Sequence, residues 1–121
     1  MKDDTVHLRH ILDAIEQIEG YLKGVSAEQF LQRRLLQDGV VRQLEIIGEA
    51  SRNLSNGLCQ RHPKVPWRQL VGLRNRIVHA YFDVNTQIVW EIVQNDLAPL
   101  KQQVERILKM LGEEHGESEE S

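Results

Sequence analysis

Residues 89–111, VWEIVQNDLAPLKQQVERILKML, decide the fold class of this 121-residue chain. Apolar side chains recur through this stretch every three or four residues, which is the spacing that lines up one face of an α-helix. The recurring residues are Val89, Val93, Leu97, Leu100, Val104, Ile107 and Leu111. Because such an apolar stripe is stable only when other elements cover it, the stretch predicts a long helix packed inside a helical protein.

The beginning of the chain predicts two further helices. Apolar residues at helical spacing run through residues 8–22, and Gly24 is well placed to end that helix. Ser26 followed by Gln29 is the capping-box pattern that opens a helix, and we expect this second helix to run to about Gln37.

The middle of the chain predicts two more helices with a loop between them. Residues 40–54 carry a third apolar stripe, which ends near the Asn-Gly pair at residues 56–57. Residues 58–66 contain two prolines and no helical period, so they predict a loop, and residues 67–78 carry a fourth stripe. No stretch alternates convincingly with the two-residue period of a strand. The sequence therefore predicts an all-α protein, an antiparallel bundle of four to five helices.

The composition is that of an ordinary globular protein. Apolar residues make up 40% of the chain and charged residues 27%. A chain of this length builds one domain, which we assign to residues 1–111. Residues 112–121 are mostly Gly, Glu and Ser, which bury little apolar surface, so we expect a disordered acidic tail there.

Three features of the sequence bear on the compartment. The single cysteine, Cys59, excludes an internal disulfide and fits a reducing environment. No stretch approaches the ~18 consecutive apolar residues of a membrane span. The first ten residues, MKDDTVHLRH, lack the basic-then-apolar order of a signal peptide. We therefore expect a cytoplasmic protein without a membrane partner.

The charge is unevenly distributed along the chain. The net charge is −3, but five glutamates lie between residues 113 and 120, and without them 15 basic residues face 13 acidic ones. Residues 61–81 contain five basic residues, two histidines and no acidic residue. Local fields of this kind, rather than the net charge, steer a polyanion to a site.

The stretch RNRIVHAY at residues 74–81 carries the candidate chemistry. On a helix, Arg74 and Tyr81 lie nearly in line two turns apart, and Asn75 and His79 lie on one face one turn apart. Arg74 and His79 are separated by about 140° around the helix, so only the long arginine side chain could bring their tips together.

These residue types suit the cleavage of RNA. Arginine offers a planar fork to phosphate oxygens, and histidine can move a proton near neutral pH. Because the RNA 2′-hydroxyl is itself the nucleophile, a base and a cation suffice without a metal, and the product carries a 2′,3′-cyclic phosphate. Such cleavage usually needs both an acid and a base, and the motif contains a single histidine. A two-fold dimer would supply the second one. The same polar set could instead cap helix carbonyls and pair with a neighbouring helix, so the spacing leaves both readings open.

The motif resembles a known family. Arg74 and His79 match the R-x4–6-H signature of the HEPN superfamily, and with Tyr81 the pattern resembles the R-x4-H-x-Y of HepT-like toxins from HEPN/MNT toxin–antitoxin pairs. Other stretches are similar to that family in the same order along the chain. These stretches are LEIIGEA at 44–50, VPW at 65–67, GLRN at 72–75, Trp90 and NDL at 95–97. The likeness covers about residues 5–110.

The resemblance implies a fold, an activity and an assembly. It implies a HEPN-like helical bundle and a metal-independent endoribonuclease that acts on tRNA or mRNA without a cofactor. It also implies a homodimer whose active site lies in the cleft between the subunits. Carried over by position, Arg74 and His79 would be the catalytic pair, and Asn75 and Arg76 would orient the substrate.

The resemblance also implies a means of regulation. Tyr81 matches the tyrosine that an MntA-like nucleotidyltransferase antitoxin adenylylates. An added AMP would bring a phosphate next to the site meant for RNA phosphate and repel the substrate by like charge. A second hypothesis is a non-catalytic helical partner of the nucleotidyltransferase, in which Arg74 and His79 only bind a nucleotide or the partner.

Two weaker patterns leave alternatives open. Arg42, Glu45 and Glu49 form a polar stripe that is either a solvated helix face or a wall of the cleft, where a glutamate would pair with Arg74 or Arg76. Gly48 lies within that helix and costs roughly 1 kcal/mol relative to alanine, which the close approach of another helix, for instance across a dimer, would explain.

Two further patterns, one of histidines and one of tryptophans, favour structural roles. Asp3, His7 and His10 have the spacing of one helix face, but without a further cluster they are a weak metal site, and we expect no metal. Trp67 and Trp90 occupy apolar stripe positions, which favours the core over a platform for stacking RNA bases.

Overall fold

The computed structural model describes the backbone of residues 3–82 and 86–120, and the side chains of residues 3–77 and 86–112. This part of the chain contains helices and no strand, which confirms the prediction of an all-α protein. The helices are α1 (Asp4–Leu22), α2 (Ala27–Gln32), α3 (Arg34–Arg52), α4 (Asn56–Arg61), α5 (Trp67–Val71), α6 (Leu73–Phe82) and α7 (Thr86–Glu120). Four long or medium helices carry the bundle, and the three short ones raise the count above the four to five predicted.

The core lies between α1, α3 and α7. Helix α3 packs against α1 and also against α5 and α6, while α7 covers α1, α2 and α6. The largest fully buried side chains include Phe30, Leu8, Ile11, Ile15, Ile18, Leu44, Ile47, Leu58, Ile77 and Leu100. Each buried aliphatic side chain contributes roughly 1.5–3 kcal/mol to folding. The predicted stripes of the long helices therefore face the core, as the period of the sequence indicated.

The second predicted helix ends earlier than expected. It begins with the predicted capping box between Ser26 and Gln29, but Arg33 is extended and separates α2 from α3. Gln37 is buried in α3, and its side-chain amide donates to the carbonyl of Phe30 at 2.9 Å. The prediction of a helix through Gln37 was therefore wrong, because this side chain satisfies a carbonyl at the end of α2 and stabilises the break.

The segment predicted to be a loop begins with a helix instead. Ser55 caps α4, since its hydroxyl oxygen accepts from the amide of Leu58 at 3.2 Å. The carboxylate of Asp4 in turn accepts from the amide of Ser55 at 2.9 Å and from its hydroxyl at 2.6 Å. The pair at residues 56–57 thus opens a helix rather than ending one, because Asp4 of α1 fixes its cap.

The last helix continues past the predicted end of the domain. We expected the ordered domain to end at residue 111, whereas the backbone of α7 is helical through Glu120. The sequence of residues 112–120 is compatible with a helix, since each of its glycines costs only about 1 kcal/mol relative to alanine. Among the described side chains of α7, the last buried one is Ile107. The division between domain and tail stays a prediction. In the sequence, Asp83 and Asn85 are candidates to cap this helix, and both lie outside the described residues.

The membrane prediction can be compared with the helices directly. Within the described ranges, no helix combines the length and the apolar character needed to cross a bilayer. Over residues 86–112 of α7, buried positions recur at helical spacing between exposed ones, which is typical of a helix packed on one side only.

Candidate functional site

The segment that carries the motif is held by two short helices joined at Gly72. The indole nitrogen of Trp67 donates to the carbonyl of His62 at 2.9 Å, which fixes the start of α5. Gly72 has helical φ and ψ values and separates α5 from α6 by one residue. Leu73 and Ile77 of α6 are buried in the core. The first turn of α6 therefore has a defined position on the body of the protein.

Gly48 of α3 lets this first turn approach closely. A Cβ atom at residue 48 would lie 3.2 Å from the carbonyl oxygen of Leu70, 3.7 Å from Cβ of Leu73 and 3.8 Å from the backbone nitrogen of Arg74. The close approach expected from the sequence is therefore made within one chain, by the junction of α5 and α6. Gly48 sets the distance between α3 and the backbone of Arg74.

Gly48→Ala should lower stability even though alanine favours helices. Alanine in a helix gains about 1 kcal/mol over glycine, but here its methyl group would press on the carbonyl of Leu70, and such overpacking costs roughly 1–3 kcal/mol. We expect urea denaturation to show a lower free energy of unfolding by about 1 kcal/mol. The matched control is Gly20→Ala in α1, where a Cβ would meet nothing within 4 Å, so stability should rise. Equal gains for both variants would contradict the close approach.

Arg74 is exposed and borders a groove between three helices. The groove has a volume of about 430 Å³, within the range of small-ligand sites. Helices α1, α3 and α6 provide its charged and titratable side chains, which are His7, His10, Arg42, Glu45, Glu49 and Arg74. The polar stripe of α3 therefore lines this groove, with Arg42 and Glu49 exposed to solvent.

The predicted pairing of that stripe with the motif does not occur among the described side chains. No ion pair there joins Arg74 or Arg76 to Glu45 or Glu49. Glu49 lies instead 4.0 Å from Arg52, in an exposed pair that contributes little to stability. Among the described residues, no carboxylate pairs with the guanidinium of Arg74, which faces the groove.

The other described residues of the motif point elsewhere. Arg76 lines a separate cavity of about 240 Å³ between α5, α6 and α7, together with Asn95 and Asp96. Asn75 is exposed and lines neither this cavity nor the groove of Arg74. Arg74 and Arg76 thus face different sides of α6, as expected for residues two apart on a helix.

Two predicted site residues lie where only the backbone is described. His79 and Tyr81 belong to the second half of α6, which is helical through Phe82. Their side chains lie outside the described residues, so the assignments of a catalytic histidine and a modified tyrosine stay predictions.

The histidines of α1 are the groove residues that the sequence did not connect with the motif. Asp3, expected to share a face with them, instead caps α1, since its carboxylate accepts from the amide of Thr5 at 3.0 Å. Within the described residues no group of three or more His, Cys, Asp or Glu could hold a metal ion. In the sequence, His7 and His10 stand out only as a pair one turn apart on an amphipathic helix that also carries Asp13, Glu16 and Glu19.

Cys59 is a poor nucleophile in this structure. Burial raises the pKa of its thiol, and the negative charge of Asp4 raises it further. Because the thiolate is the reactive form of cysteine, a raised pKa keeps this side chain protonated and unreactive. Cys59 is therefore not a candidate nucleophile.

Comparisons with known proteins agree on one family. The sequence model described as "Ribonuclease HepT-like" matches residues 11–107. A Thermococcus cleftensis protein named "Probable ribonuclease HepT" is 40% identical over 103 residues, which cover 85% of this chain and 94% of the relative. A protein of Caldanaerobacter subterraneus subsp. tengcongensis, named as a candidate RNase, is 40% identical over 109 residues, which cover 90% of this chain and 97% of the relative. No solved structure gives a significant match.

The matched region contains the features on which the resemblance was based. It spans the stretch at 44–50, the junction of α5 and α6, and the motif at residues 74–81. The all-α fold agrees with the resemblance as well. The chain belongs to the HepT-like ribonuclease family.

Proposed function

We propose that this chain is a metal-independent endoribonuclease, the toxin of a toxin–antitoxin pair, which cleaves tRNA or mRNA with Arg74 and His79. Two copies form a homodimer, and the site lies in the cleft between them. An MntA-like nucleotidyltransferase silences the enzyme by adenylylating Tyr81. Family membership supports the ribonuclease activity. The residue types of α6 suit the cleavage chemistry, while the dimer, the antitoxin and the adenylylation of Tyr81 are carried over from the resemblance.

The observation that carries the proposal is the setting of Arg74. Its side chain is exposed at a groove of about 430 Å³, and no described acidic side chain forms an ion pair with it. A guanidinium in such a position can offer its planar fork to two phosphate oxygens. The close approach at Gly48 fixes the backbone of the first turn of α6. The Arg74 side chain therefore extends from a packed element.

The register of α6 supports a site that a second copy completes. Leu73 and Ile77 are buried and Asn75 is exposed, so the outward side of the helix passes through Asn75. His79 follows Asn75 by four residues, which is the next turn of the same face. Residues on an outward face are available to a partner, and a two-fold axis near that face brings two copies of the motif together.

The reaction needs one base, one acid and one cation. The imidazole of His79 takes the proton of the RNA 2′-hydroxyl, and the freed oxygen attacks the adjacent phosphorus. The bond from phosphorus to the 5′-oxygen breaks, and that oxygen takes a proton from His79 of the partner subunit. Arg74 stabilises the negative charge that develops on the phosphorane oxygens. The products are a 2′,3′-cyclic phosphate and a 5′-hydroxyl.

The two residues after Arg74 have supporting roles in this proposal. Asn75, exposed on the outward face, orients the substrate or His79. Arg76 faces the cavity between α5 and α7, so it acts on a part of the RNA that lies on the other side of α6.

The direct test is RNA cleavage by the purified chain in EDTA. We expect fragments whose 3′ ends carry a 2′,3′-cyclic phosphate, because the 2′-hydroxyl is the nucleophile, and a dimer in sedimentation analysis. A chain that cleaves no RNA pool, yet binds a nucleotidyltransferase tightly, would support the non-catalytic helical partner instead. Cleavage that leaves a 5′-phosphate would contradict the proposed nucleophile.

Regulation by adenylylation predicts a defined mass change. Co-expression with a nucleotidyltransferase antitoxin should add the mass of one or more AMP groups to the peptide that contains Tyr81 and restore growth that the chain alone inhibits. The added phosphate repels RNA from the cleft by like charge. The control is Tyr21→Phe, which removes an exposed tyrosine at the end of α1 and should leave the modification unchanged. An unmodified Tyr81 peptide after growth is restored would contradict the mechanism.

A further inference from the structure

The groove bordered by Arg74 contains two histidines that the proposed reaction leaves unused. His7 and His10 lie one turn apart on α1, with ring centroids 6.3 Å apart in an edge-to-face arrangement. His10 is exposed and His7 is half-buried, and both line the groove opposite α6. Among the side chains that the structure describes, neither imidazole has a hydrogen bond or an ion pair. Their N–H groups are therefore available to a ligand.

The other charges in the groove cancel. Arg42 and Arg74 contribute two positive charges, and Glu45 and Glu49 contribute two negative charges. These four charges sum to zero, so beyond the direct contact with Arg74 they give a phosphate little net attraction. The remaining described side-chain donors are the amide of Asn53 and the two imidazoles. Hydrogen bonds from the imidazoles therefore matter for the affinity of the groove for an anion.

We propose that His10, with His7 beside it, binds a phosphate of the RNA substrate in the groove that Arg74 borders. Helix α1 then forms a substrate-binding wall opposite α6, outside the sequence motif. This inference rests on the proposed ribonuclease function and identifies residues that hold the RNA next to the cleavage site. The phosphate bound there is a neighbour of the one that is cleaved.

The test measures the binding of an RNA that cannot be cleaved, in which every 2′-hydroxyl is methylated. His10→Ala should raise the Kd about tenfold, which is the typical effect of losing one hydrogen bond to a charged group. His7→Ala with His10→Ala should raise it further. His10→Gln keeps an N–H donor on a flexible side chain and should restore part of the affinity. Alanine and glutamine both favour helices, so α1 should persist, which circular dichroism checks.

The matched control is Arg9→Ala. Arg9 lies between the two histidines on α1, is exposed and does not line the groove. Removing it takes away a full positive charge, yet the Kd should change by less than about twofold, because the charge is screened by solvent. If His10→Ala binds as tightly as the wild type, or if Arg9→Ala loses as much affinity, the proposal is overturned.

The result also separates this inference from the function on which it rests. A wild-type chain that cleaves RNA, together with a His10→Ala variant of normal affinity, would overturn only the role of α1. A wild-type chain that neither binds nor cleaves RNA would overturn the proposed function, and the role of α1 with it.

Discussion

Replacing His79 by alanine should reduce RNA cleavage by about 10² to 10⁴, because a positioned acid or base contributes that much to a proton-transfer step. In the proposed dimer the substitution would remove both the group that takes the 2′-hydroxyl proton and the group that protonates the leaving oxygen, so the upper end of this range is expected. The measurement is the initial rate of cleavage of a labelled RNA in EDTA. Thermal unfolding of the variant should match that of the wild type.

The control is His62→Ala. His62 is a half-buried histidine at the end of α4 and lines a cavity with Pro63 and Arg106, away from the groove of Arg74. Its carbonyl, which accepts from Trp67, belongs to the backbone and survives the substitution. His62→Ala should therefore cleave RNA at close to the parental rate. Parental activity in His79→Ala, or an equal loss in both variants, would show that His79 is not catalytic.

Arg74→Lys should lower cleavage by at least about tenfold although the charge is kept. Lysine replaces a planar fork by a single ammonium group, which cannot hold two phosphate oxygens at once. Removing one such stabilising donor from a transition state commonly costs 10² to 10³ in rate, and the retained charge recovers part of it. We expect the loss mainly in kcat, because the fork is needed most when charge develops on the phosphorane.

The matched control for this variant is Arg68→Lys. Arg68 is an exposed arginine in α5, within the same basic segment, and it lines none of the cavities described above. Its replacement should change the rate by less than about twofold. A rate for Arg74→Lys that stays near that of the wild type would mean that charge alone, and not the geometry of the guanidinium, is required.

The faces of the long helices were predictable, because burial follows the helical period directly. Val89, Leu97 and Val104 are buried on α7 as the spacing indicated, and Leu8 and Ile15 are buried on α1 in the same way. The helical period shows which side of a helix is apolar, and in a bundle that side packs in the core.

The breaks between helices were not predictable from local sequence. The break at Arg33 depends on the amide of Gln37 reaching the carbonyl of Phe30, and glutamine is an ordinary residue within helices. The start of α4 depends on Asp4, which is 51 positions away from Ser55. The first bond spans seven residues, and the second joins Ser55, a local cap of α4, to a residue on another helix. Propensity and local capping rules contain neither bond.

The motif of the site was predictable, but its surroundings were not. The spacing of Arg74 and His79 is visible in the sequence, and both residues lie within the region that the family model matches. The position of His7 and His10 on the groove follows from the packing of both α1 and α6 against α3, and no spacing along the chain relates these helices. Helical geometry alone predicts that Arg74 and Arg76, which are two residues apart, face different sides of α6.

The two tryptophans allow fluorescence to report on two different parts of this protein. Trp67 sits at the start of α5 with its indole N–H bonded to His62, while the ring of Trp90 lies 5.3 Å from that of Phe30 where α7 meets α2. Each indole thus occupies a distinct environment, one next to the segment that leads into α6 and one in the packed body. Chains that keep a single tryptophan would report separately, by emission wavelength, on movement at the segment that leads into α6 and on loss of the bundle as a whole.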